Sequence, residues 1–133
     1  MATINDPQLD LELQELYLTG KQWLADLDFL ENEQAFLKDL LQRDSGEFPA
    51  LPALRPDLLL RLTTSGTVHK NLRANISNFM NKLGALVVHT DTRIHLQLIE
   101  DFTLLQSEVD AALSALKGIK YALVKAKRPE WLQ

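Results

Sequence analysis

The side chains of this 133-residue chain most able to do chemistry are its histidines, His69, His89 and His95, and its acidic residues. His89 and His95 are six residues apart, which on one helix leaves them on different faces, so they cannot readily share a metal ion. His89 with Asp91 makes at most an adventitious site at a turn. Di-iron bundles need Glu-x-x-His on facing helices, and that pattern does not occur. The chain has no cysteine, which excludes disulfides, thiolate zinc sites and cysteine nucleophiles together. Its few glycines form neither a phosphate-binding loop nor a G-x-S-x-G elbow. Neighbouring carboxylates such as Glu100–Asp101 and Glu31/Glu33 read as solvated helix surface. The expectation is a non-enzyme with no catalytic, cofactor-binding or metal residues.

His69 carries the alternative. Followed by Lys70, Leu72 and Arg73 in a helical stretch, it is similar to the phosphoacceptor of histidine phosphotransfer modules, and that resemblance implies a signalling role. Those modules present an exposed histidine with a basic residue and small residues just after it. Here His69 projects beside Val68, Leu72 and Ile76 on an apolar face, so the leading expectation is a seam histidine.

The elements that position these residues are helical. From Leu9 to Leu41, Leu9, Leu16, Trp23, Leu30 and Leu37 fall on one heptad position, and Leu13, Gly20, Leu27, Gln34 and Leu41 on the other. A sustained pattern of this kind describes a long helix laid against others. Asp6-Pro7 suits its start, and Asp44-Ser45-Gly46 its end after about Arg43. Gly20 in the seam suggests a close helix crossing.

Residues 44–56 contain Pro49, Pro52 and Pro56, so an extended, ordered strap is expected there, held by Phe48, Leu51 and Leu54. A short second helix then covers about 56–63. Thr63-Thr64-Ser65-Gly66-Thr67 reads as a break, and a third helix covers about 66–88; one helix running straight through is the other reading. After a turn at His89–Thr92, a last helix runs to about Lys127 with Pro129 beyond. Its seam is Leu98, Leu105, Ala112 and Ile119 with Phe102, Val109, Leu116 and Leu123, on essentially one wide face. The fold class is therefore all-α: a single antiparallel up-and-down bundle domain over 1–133, with long first and last helices.

Composition bounds the partners. Apolar residues at 46% and charged residues at 24% fit a globular domain. No apolar run is long enough to span a membrane, and the N-terminal residues lack a signal-peptide pattern, so a cytoplasmic location is expected. Residues 1–48 hold eleven acids and three bases, whereas 49–88 hold one acid and five bases. An acidic helix beside a scattered basic one does not make a nucleic-acid surface.

One feature of the first helix exceeds what a small bundle needs. Opposite its seam, Leu11, Leu18, Phe29, Phe36 and Leu40 form a second, narrow apolar line flanked by charge. Either the strap or short helix covers it, or it meets another chain. The latter predicts a helical interaction or scaffolding protein that self-associates, a dimer being favoured, or that binds another helical protein.

Overall fold

The computed structural model describes three helices: α1 (Asp6–Gln42), α2 (Leu51–Val88) and α3 (Thr92–Lys127). Backbone is described for 6–43, 51–88 and 92–127, and side chains for 11–43, 52–85 and 96–126. At 1.5 Å per residue each helix is about 55 Å long. They pack against one another as an all-α, up-and-down bundle.

The packing forms two compact units. Unit 1 joins α1 through Leu27 to α2 from Asn71 and α3 to Val109; unit 2 joins α1 from Asp28 to α2 through Lys70 and α3 from Asp110. In both, therefore, α2 runs antiparallel to α1 and α3, and α1 and α3 are parallel. Unit 1 is centred on three aromatic rings, one from each helix: Trp23 lies 5.6 Å from Phe79 and 5.2 Å from Phe102 between centroids. Tilted contacts at these separations add to the area that the rings bury. Gly20 is buried in the same unit, and a Cβ there would collide with the Met80 thioether, so the glycine leaves room for that side chain from α2.

Unit 2 contains the main departure from the sequence expectation. Neither a short helix at 56–63 nor a break at Thr63–Thr67 exists, because α2 runs unbroken from Leu51 to Val88. Its buried residues are Leu58, Leu62, Ser65, His69, Leu72, Ile76, Phe79 and Leu83, spaced alternately by four and three without interruption. The hydroxyls that suggested capping are used inside the helix: Thr63 Oγ1 donates to the Leu59 carbonyl at 2.9 Å, and Thr67 Oγ1 to the Thr63 carbonyl at 3.5 Å. Such back-bonding to residue i−4 removes the competition that makes threonine a poor helix former. Gly66 has a packing role. A Cβ there would lie 2.6 Å from Gln34 Nε2, which donates to the Leu62 carbonyl at 2.8 Å.

The proline strap is corrected too. Pro52 and Pro56 belong to α2, and residues 44–50, with Pro49 and Phe48, lie outside the described residues. Pro52 is the second helical residue, where the missing N–H had no intrahelical partner in any case. Pro56 forfeits one bond, to the Pro52 carbonyl, in the second turn. Beside it, Arg55 Nε donates to the Leu41 carbonyl at 3.1 Å. That bond satisfies one of the acceptors left over at the end of α1. Arg43 N–H, shared between the Asp39 and Leu40 carbonyls at 3.0 and 3.3 Å, closes the last turn.

Candidate protein interface

The seam of α1 takes Trp23, Leu27, Leu30, Leu37 and Leu41 into the interior, and the helical period then leaves the opposite line outside. Within unit 1, Leu11 and Leu18 are 60% and 65% exposed; within unit 2, Phe29 and Phe36 are 50% and 58% exposed, and Leu40 is half-buried. Phenylalanine rings left half in water forgo roughly half of the about 1.5–3 kcal/mol that full burial contributes. Leu54, the described end of the expected strap, is half-buried on α2; the remainder of 44–50 lies outside the described residues.

In unit 2 the stripe borders α3. Lys120 Nζ binds Glu33 Oε1 at 2.6 Å and lies 5.8 Å from the Phe29 ring centroid. Lys120 therefore tethers the parallel helices α1 and α3 side by side, with the Phe29 ring under its ammonium. The outer surface of α3 next to this tether is itself apolar: Tyr121 is 65% and Val124 68% exposed, with Lys125 Nζ 5.3 Å from the Tyr121 centroid. In unit 1, α3 also exposes Leu96, Ile99 and Leu104. This corrects the expectation of a single wide face on the last helix. Removing the alternate three- and four-residue seam positions from α3 leaves these apolar residues behind, and that subtraction could have found them.

His69 is not placed for phosphotransfer. Its side chain is 2% exposed in the α2 seam, and Nδ1 has no hydrogen-bond partner among the described residues. Burial pushes the imidazole below its ordinary value of 6.5, with the Glu31 carboxylate opposing part of the shift. An imidazole that accepts a phosphoryl group must meet the donor in line, and a sealed side chain cannot. Its neighbours in the seam include Ser65, also buried, so unit 2 carries a polar stretch in an otherwise apolar interior. His89 and the His95 side chain lie outside the described residues. Among the described residues no group of three or more potential ligands could hold a metal ion, and no helix is long and apolar enough to cross a membrane.

Unit 1 holds an open cleft of about 240 Å³ between α2 and α3, lined by Asn75, Asn78, Phe79, Leu104 and Glu108 and by the Lys82–Asp101 ion pair at 2.8 Å. The ion pair commits the cleft's ammonium to a carboxylate, so neither is set up as a free acid or base. No known family, curated protein or solved structure matches the chain.

Proposed function

We propose that the protein is a non-catalytic helical interaction or scaffolding protein that self-associates through α1. The observation that carries this reading is the exposure of Phe29 and Phe36, seven residues apart on one line of α1 that the bundle does not use. Large aromatic anchors at the centre of a contact supply most of the energy of typical interfaces. Leu18 and Leu11 continue the line in unit 1, and half-buried Leu40 continues it in unit 2. Apolar anchors spaced by seven and eleven residues keep to one line of a helix, which suits a partner that is itself a helix.

The test is the double substitution Phe29→Glu with Phe36→Glu. Light scattering on a size-exclusion column reads a lower molar mass than for the unsubstituted chain, and far-ultraviolet circular dichroism stays unchanged. Loss of helicity would instead assign both rings to the interior of the monomer and remove the basis of the proposal.

A further inference from the structure

Two helices, α1 and α3, make the outer surface of unit 2 on the side of the stripe, and they carry opposite charge. Residues 28–42 of α1 hold four acids and one base; residues 110–127 of α3 hold one acid and four bases. On the exposed faces this asymmetry surrounds the apolar residues. Asp28, Glu33 and Asp39 flank Phe29 and Phe36, whereas Lys117, Lys120 and Lys125 flank Tyr121 and Val124. The Lys120–Glu33 contact already pairs these two chemistries within one chain.

The tether also brings the two stretches to the same part of the pair. Lys120 meets Glu33 and, four residues earlier on α1, the Phe29 ring, so its long side chain levels it with this stretch of α1 to within about one turn. Phe36 and Val124 both lie beyond the tether, in the same direction along parallel helices.

We infer, building on self-association through α1, that the partner is a second copy of this chain, docked so that the Phe29/Phe36 face of α1 lies on the Tyr121/Val124 face of the partner's α3, and reciprocally. Two layers of two parallel helices can stack about a two-fold axis in two ways. An axis perpendicular to the helices lays α1 on α1 and α3 on α3, placing acids against acids and lysines against lysines. An axis parallel to the helices lays α1 on α3 in both halves, with unlike charges facing. It also keeps every residue at its own height, so the Phe29/Phe36 stretch meets the Tyr121/Val124 stretch across the interface. Like-charge juxtaposition penalises the first arrangement, and complementarity favours the second.

The chain has no cysteine, so single introduced thiols report the docking directly. Phe36→Cys and Val124→Cys proteins, distinguished by a tag, are mixed in equal amounts in a glutathione redox buffer; both positions are exposed, and circular dichroism checks that each variant is folded. The disulfide between the two variants is expected to exceed either symmetric disulfide several-fold. A predominant Phe36→Cys symmetric disulfide, or no disulfide preference while the dimer persists, overturns this docking and leaves self-association standing. A monomer for the unsubstituted chain at every concentration removes self-association itself.

Salt supplies a second reading on the unsubstituted protein. Screening weakens attraction between unlike faces, so the dimer dissociation constant rises roughly threefold from low to physiological sodium chloride. A constant that stays flat or falls with salt overturns the inference.

Discussion

His69 is the residue at which two readings of one side chain part. A histidine in a helix can be a reagent or a filler of the seam, and the deciding quantity is access; at 2% exposure this one fills the seam. Its effect should then be on stability. Burial lowers the imidazole's proton affinity, so the folded chain takes up this proton at a lower pH than the unfolded chain, which does so near 6.5. The stability that neutral His69 contributes is complete above that value, declines as pH falls below it, and levels off once the folded value is passed. His69→Leu removes this difference. From pH 7 to pH 5 its denaturation midpoint should fall less than that of the unsubstituted chain, and parallel curves would contradict the assignment. Gly66 and Gln34 make a second residue-scale case. Gly66→Ala should stabilise by about 1 kcal/mol when Gln34 is also alanine, and by clearly less when Gln34 is present, because the new methyl displaces the amide from the Leu62 carbonyl. Equal effects in both backgrounds, measured as a double-mutant cycle, would mean that the glycine has no such packing role.

At the scale of elements, α1 and α3 were legible because their seams are apolar at nearly every turn. The middle of the chain was misread because local propensity and register disagree there. Thr63, Thr64, Ser65, Gly66 and Thr67 are each weak helix formers, but Ser65 and His69 stand on the seam positions that connect Leu62 to Leu72. Tertiary packing follows register, and two polar residues on the seam hid it. Prolines gave the same error: a proline stops a helix in its interior, but Pro52 and Pro56 stand in its first two turns, where few bonds are at stake. The continuity of α2 predicts that Thr64→Pro, at an exposed position, costs about 3 kcal/mol or more in chemical denaturation. A cost below about 1 kcal/mol would be the signature of a loop. The proposed interface was half legible. The α1 stripe is sparse and stands opposite a clear seam, whereas Tyr121 and Val124 merge with the wide apolar content of α3 until the seam is subtracted.

At the scale of the whole molecule, one face of each helix is used to fold, and the proposed association would use a second face of α1, bordered by α3. Each unit has its own packed interior: an aromatic from each helix in unit 1, and in unit 2 an apolar seam that includes the buried Ser65 and His69. The exposed rings of Phe29 and Phe36 are left over from folding, and the proposed self-association would use them. The most direct measurement is the molar mass of the unsubstituted chain by light scattering across a concentration series. The account predicts a mass that approaches twice the 15.1 kDa of one chain as concentration rises. A mass that stays at that of one chain up to the highest concentration would contradict it.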